Sequence, residues 1–115
     1  MADDPEGAQV AQLDCQGVMG NTPAVLSGLR QYTPYNALGD GYVRFSGTVT
    51  AGGIQGRITY EGYTRTGCFK GAIQTTHGDL SIAVLDNTGG QMIIYSGKPS
   101  LGAPDTIGRF ACKWR

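Results

Sequence analysis

Residues 42–63 read YVRFSGTVTAGGIQGRITYEGY, two alternating runs on either side of a glycine pair. If the glycines at positions 52 and 53 form a two-residue hairpin turn, residue i faces residue 105 − i. This register sets Phe45 against Tyr60 on one face and Arg44 against Glu61 on the other. Because one register separates apolar from polar pairs and opposes opposite charges, the stretch predicts an antiparallel β-hairpin.

The alternation continues into the following segment. A turn at residues 65–66 pairs residue i with 131 − i, which lays Phe69 over Gly62 and sets Lys70 beside Glu61. An aromatic ring over a cross-strand glycine is a stabilising pair. A four-residue turn centred one position later is an alternative that shifts the charged row.

A third hairpin is predicted from residues 80–85 and 91–95, joined by the turn-forming residues 87–90. Pairing Val84 with Ile93 gives an apolar inner face. The opposite face is then also apolar, with Ala83, Leu85, Met92 and Ile94. We expect that second face to be covered by another part of the chain, or else to form a dimer or partner surface.

The remaining segments give a first strand, a short helix and a last strand. Residues 11–16 and 106–114 alternate and are predicted to be strands. Residues 22–30 are predicted to be a short helix, because Thr22 can cap it and Pro23 suits its first position. Three apolar residues of that helix share one face and are expected to cover the third hairpin: Val25, Leu26 and Leu29. Residues 33–41 are predicted to be a loop.

Length and composition agree with one small all-β domain. The chain has 115 residues, 19 of them glycine, which favours many tight turns over long helices. We expect a disordered acidic tail at residues 1–7 and a single domain at 8–115. The predicted architecture is an antiparallel meander of about seven strands and one short helix, closed as a barrel to remove exposed edges, with a sandwich as the alternative.

Three cysteines occur, at positions 15, 68 and 112. If the first and last strands meet to close the barrel, Cys15 and Cys112 become neighbours, and their disulfide is the favoured pairing. A Cys68–Cys112 bond and three free thiols are the alternatives. In the favoured pairing Cys68 is the odd thiol, available for an intermolecular bond or inert.

The start of the chain bears on compartment. The first seven residues are acidic and contain no apolar stretch, which is typical of a mature chain whose leader was replaced by an initiator Met. A cytosolic protein with an acidic tail would begin in the same way. Together with the expected disulfide, this start favours a secreted or periplasmic protein, whose leader is missing from the given sequence.

Several functional classes are disfavoured by the residues present. Nine Lys and Arg balance nine Asp and Glu, which argues against a nucleic-acid binder, and no apolar run is long enough to span a bilayer. The single histidine, His77, cannot complete a structural zinc site, and no catalytic, cofactor or metal motif is present. We therefore expect no enzyme activity, no metal and no cofactor.

Binding is the function that the sequence supports best. Amphipathic side chains suited to interfaces lie at several predicted surface positions. The candidate partner-binding residues are Tyr32, Tyr35, Tyr42, Tyr63, Arg44, Leu85, Met92 and Ile94. The leading hypothesis is a non-catalytic extracytoplasmic barrel that binds a protein partner, as an inhibitor or accessory protein, with a homodimer as a further possibility. The alternatives are a carrier of small molecules or lipids inside the barrel, and a hydrolase using His77 with Ser81 or Cys68.

Overall fold

All the regular structure in the described part of the chain is β-strand. The computed structural model describes residues 8–33, 41–87, 90–96 and 106–114. Eight antiparallel strands form a closed barrel in sequence order, so the predicted all-β meander is confirmed as a barrel with one strand more than expected. The strands are β1 (Ala8–Met19), β2 (Thr22–Thr33), β3 (Tyr42–Ala51), β4 (Ile54–Tyr63), β5 (Cys68–Thr75), β6 (Gly78–Asn87), β7 (Gln91–Ser96) and β8 (Thr106–Trp114).

The barrel closes where the first strand pairs with the last. In the β1–β8 ladder Cys15 lies directly opposite Cys112, and the two form a disulfide with their Cα atoms 4.1 Å apart. The predicted pairing is therefore confirmed, and Cys68 is the free, exposed thiol. The disulfide joins residues 97 positions apart, so it links the two ends of the sheet at the seam of the barrel.

The two central hairpins have the predicted registers. Between β3 and β4, Phe45 pairs with Tyr60 and Arg44 with Glu61, with positive φ angles of 57° and 83° at the turn glycines 52 and 53. Between β4 and β5, Gly62 pairs with Phe69, so the row of charged residues is also in place. Turn residues and alternation predict both registers correctly because neither ladder contains a bulge.

The predicted helix at residues 22–30 is wrong, because these residues belong to β2. Leu26 and Leu29 are fully buried although they are three positions apart, while Val25 is 42% exposed. The register shifts between residues 27 and 30, and Gly28 has a φ of 61°, as in a glycine β-bulge. The extra residue turns both leucines toward the interior, and the resulting spacing resembles that of a helix.

The third hairpin is displaced by one residue from the predicted register. Val84 pairs with Ile94, not with Ile93, because three residues separate the paired ends of β6 and β7. Gly90, the last of these, has a φ of 87°, the left-handed conformation that ends many three-residue hairpin loops. A shift of one residue exchanges the faces of a strand, so Met92 and Ile94 lie inside the barrel and are fully buried.

The interior is filled unevenly along the barrel axis. Toward the end that carries the 64–67 turn, three aromatic rings pack together, with Phe45 stacked on Tyr60 at 4.6 Å and Phe69 edge-on to both. Toward the end that carries the 52–53 turn, the inward positions of β3 and β4 include small residues such as Ala51 and Gly56. The interior is therefore solid at one end and less filled at the other.

Some predictions lie outside the described residues. These are the acidic tail at 1–7, all but the ends of the predicted loop at 33–41, and with that loop the candidate residue Tyr35. Tyr32, which directly precedes that predicted loop, lies in β2 with its side chain buried.

Candidate functional site

Seven of the eight candidate binding residues are among the described residues, and the barrel places them differently. The structure brings Tyr42, Tyr63, Arg44 and Leu85 onto the outer surface of neighbouring strands. Two candidates, Met92 and Ile94, are interior and cannot form a partner surface, and Tyr32 is buried although it pairs in register with the outward-facing Arg44. The prediction that Ala83, Leu85, Met92 and Ile94 form one outer apolar face is therefore wrong, because the β6–β7 register differs by one residue from the predicted one.

Three of the outer candidates, Tyr42, Tyr63 and Leu85, lie in one continuous row of cross-strand neighbours. Each member pairs with the next on the adjacent strand, from β3 through β7. We call this set the outer apolar row, and its members are Tyr42, Tyr63, Cys68, Leu85 and Ile93. In an antiparallel barrel the side chains that face solvent are normally polar. An uninterrupted row of apolar residues across five strands is therefore a distinctive feature.

Aromatic contacts order one end of this row. The rings of Tyr42 and Tyr63 meet edge to face, with centroids 5.2 Å apart. The guanidinium carbon of Arg65, in the following turn, lies 5.8 Å from the centre of the Tyr63 ring, within the range of a cation–π contact. Tyr63 nevertheless remains 41% exposed, so its ring is accessible to a partner.

A charged cluster lies beside the row, in the next outer-facing positions of β3, β4 and β5. The Tyr42 hydroxyl donates a hydrogen bond to the Glu61 carboxylate, and Arg44 Nη2 forms an ion pair with the same oxygen at 3.2 Å. Lys70 pairs in register with Glu61 on its other side. Because the ion pair is more than one third exposed, it orders the surface more than it stabilises the fold.

The hydrogen bond between Tyr42 and Glu61 shifts the pKa of both groups. Burial, followed by the hydrogen bond to Glu61 and its negative charge, raises the pKa of Tyr42 from 10.0 to about 12. The hydrogen bond from Tyr42, followed by the Arg44 hydrogen bond and charge, lowers the pKa of Glu61 below its ordinary 4.5 against the opposing effect of burial. At neutral pH the cluster therefore holds a carboxylate and a neutral phenol in fixed positions.

A shallow groove runs alongside the cluster. It encloses about 290 Å³ and is lined by Arg44, Thr59, Tyr60, Glu61, Lys70 and Gly71. The groove adjoins the outer apolar row because Arg44 and Glu61 lie two positions from members of the row along β3 and β4. Apolar and charged surface are therefore contiguous, as at the core and rim of a protein interface.

Sequence reasoning missed two members of the row, Ile93 and Cys68. Ile93 was assigned to the interior because the predicted β6–β7 register was one residue out. The position of Cys68 between Tyr63 and Leu85 depends on the β5–β6 pairing, for which the sequence predicts no register. An additional glycine in the 88–90 loop was the available signal for the first of these errors.

The residues considered for hydrolysis are not assembled into a site. His77 lies in the β5–β6 turn, exposed, with Nδ1 3.3 Å from the hydroxyl of Thr76. Cys68 begins β5 and the turn follows its end, so the length of the strand, about 23 Å at ~3.3 Å per residue, separates them. Ser81 is exposed on β6, several residues beyond the turn.

Neither a metal cluster nor a membrane-spanning helix is found in residues 8–33, 41–87, 90–96 and 106–114. These residues contain no group of three or more His, Cys, Asp or Glu side chains placed to hold a metal ion. No helical segment capable of crossing a bilayer occurs among them. Comparison of the chain with protein-family models, curated protein sequences and solved structures gives no significant match.

Proposed function

We propose that this protein is a non-catalytic binding protein that recognises a protein partner through the outer apolar row. The observation that carries the proposal is the continuity of five apolar side chains across five neighbouring strands, bordered by an ordered charged cluster. Tyr63 and Cys68 are exposed, and Tyr42, Leu85 and Ile93 are half-buried. A contiguous apolar surface with polar edges is typical of interaction sites. An inhibitor or an accessory protein would use a rigid surface of this kind.

The chemistry of the surface indicates the chemistry of the partner. Tyrosine and arginine are the residue types that most often dominate binding free energy, and here they are held in place before binding. The exposed cations Arg65, Lys70 and Arg109 lie around the row, the last of them paired with Ile93. The surface therefore suits a partner with an apolar strip edged by acidic groups.

The disulfide supports a location outside the cytoplasm. A bond between Cys15 and Cys112 persists in an oxidising compartment and is rare in the reducing cytosol. We therefore place the protein in the secreted or periplasmic class as part of the same proposal. Reaction with a thiol reagent after denaturation without reductant tests this, because all free thiols are then accessible: one modified cysteine supports the proposal and three contradict it.

Site-specific photo-cross-linking tests the binding surface. A benzoylphenylalanine placed at Tyr63 is expected to cross-link one protein from an extracytoplasmic extract, whereas the same group at Thr50 is not. Thr50 is a matched control because it is exposed on the outer face of β3, toward the opposite end of the barrel. Equal yields at the two positions would contradict the proposal.

The affinities of substituted variants for the captured partner then test whether the outer apolar row itself makes the contact. Truncation of an interface anchor typically costs ~2 kcal/mol, or about thirtyfold in affinity. We expect a loss of that size for Tyr63→Ala and for Leu85→Ala, and less than about twofold for Thr50→Ala. A cross-link between two copies of the chain would assign the row to a homodimer, and the proposed heterologous partner would be wrong.

A further inference from the structure

We propose a second, separate binding site: the open end of the barrel at the 52–53 turn binds small, neutral, mainly apolar molecules of about 10–15 non-hydrogen atoms. This function is additional to the proposed protein-binding role and uses different residues. The site is a cavity of about 380 Å³ at the barrel mouth. The residues that carry the argument are Met19, Ala51, Ile54, Ile73, His77 and Leu80.

The cavity is the upper part of the barrel interior, not a surface depression. Ile54 and Leu80 have the same strand parity as the buried residues Ile58 and Ile82, so their side chains belong to the inner face. They are nevertheless 47% and 41% exposed. Inward-directed apolar side chains with that exposure indicate that the interior opens to solvent at this end.

The distribution of side-chain size explains why the opening lies at this end. The aromatic rings of Phe45, Tyr60 and Phe69 fill the interior toward the other end. At this end, β3 and β4 contribute the small inner residues Ala51 and Gly56. Among the described connections at this end, the β1–β2, β3–β4 and β5–β6 turns each contain two residues and are too short to fold over the opening.

Volume sets the size of the ligand. A cavity of ~150 Å³ holds benzene, with six carbon atoms, so about 380 Å³ corresponds to roughly 15 carbon atoms. Two fused aromatic rings or a chain of about ten carbons fit this space. Long-chain lipids exceed it, which argues against the lipid-carrier alternative.

The lining sets the polarity of the ligand. No buried polar or charged residue occurs in the described part of the chain, so a charged group inside the cavity would lose its hydration without compensation. Among the described residues that line the cavity, the polar ones are Thr75, His77 and Asp79, all in the β5–β6 hairpin on one side of the rim. A neutral ligand with one hydrogen-bonding group directed toward this rim satisfies both conditions.

Two methionines in the described residues provide a direct assay. Met19 lines the cavity, whereas Met92 is fully buried in the interior and does not contribute to its lining. In protein labelled with ¹³C at the methionine methyl groups, titration with 1-naphthol is expected to shift the Met19 resonance and leave Met92 unchanged. An unchanged Met19 resonance at saturating 1-naphthol, or a shift confined to Met92, would overturn the proposal.

Filling the cavity provides the mutational test. Ala51→Phe adds a ring to the cavity, whereas Thr50→Phe places the same ring on the outer face one position earlier. Each buried methylene contributes about fourfold to affinity, so displacement of even two such groups by Ala51→Phe lowers affinity by at least about tenfold. Thr50→Phe is expected to bind as the wild type does, and equal binding by both variants would refute the site.

Two further measurements complete the test. An unchanged Met92 resonance confirms that Ala51→Phe is folded, and Leu80→Gln, at an already exposed position, is a second variant expected to weaken binding. The anion 1-naphthoate is expected to bind at least about tenfold more weakly than 1-naphthol, and equal affinity would overturn the assignment to neutral ligands. Tyr63→Ala should bind 1-naphthol normally, so failure of one proposed site is distinguishable from failure of the other.

Discussion

Reduction of the Cys15–Cys112 disulfide is expected to remove a large part of the stability of the barrel. The bond links residues 97 positions apart, and loop-closure entropy for that separation corresponds to about 4–5 kcal/mol. In the chain-entropy account, reduction acts mainly by restoring conformational freedom to the unfolded chain. Small domains are stable by only ~5–15 kcal/mol, so this contribution is decisive for a barrel of this size.

The assay compares oxidised and reduced protein in a Cys68→Ala background, in which the exposed free thiol cannot exchange with the disulfide. Urea denaturation followed by circular dichroism gives the free energy of unfolding with and without a phosphine reductant. At about 4 °C per kcal/mol for a domain of this length, the melting temperature is expected to fall by about 16–20 °C. A difference below about 1 kcal/mol would refute the reasoning, and oxidised Cys68→Ala should match the oxidised wild type.

Three other predictions test the register, the bulge and the charged cluster. Ile94→Ala, at a fully buried position, is expected to lower the free energy of unfolding by about 2–5 kcal/mol in urea denaturation. Ile93→Ala is expected to lower it by clearly less, and the reverse order would contradict the β6–β7 register. Gly28→Ala places a side chain at a φ of 61° and should cost about 1–2 kcal/mol in the same assay, whereas a neutral effect would argue against the bulge. The pKa of Glu61 is lowered from its ordinary 4.5, so its stabilising effect is present above the unfolded-state pKa and is lost as pH falls through the lowered folded-state pKa. Denaturation midpoints measured from pH 6 downward should therefore fall less steeply for Glu61→Gln than for the wild type, and identical profiles would exclude the effect.

The candidate binding surface was only partly predictable from the sequence. Tyr42, Tyr63 and Arg44 were correctly placed on the outer face, because the hairpin that carries them has a short glycine turn and no bulge. Leu85 was assigned to a separate surface, and only the β5–β6 pairing brings it next to Cys68 and hence close to Tyr63. The set of strands that neighbour one another around the barrel is fixed only when the whole sheet closes. It therefore cannot be read from any single hairpin.

The sequence by itself determined the all-β class and the β3–β4 hairpin, and it favoured the β4–β5 register and the Cys15–Cys112 pairing over their alternatives, since these depend on alternation, turn residues and the parity of the cysteines. Only the tertiary structure decided that residues 22–33 form a strand and that Met92 and Ile94 are interior. In both places one additional residue in a left-handed glycine conformation exchanges the inner and outer faces of the strand beyond it, and neighbouring strands decide whether that residue is accommodated. The open mouth likewise results from side-chain sizes summed across strands distant in sequence, which become neighbours only when the barrel closes.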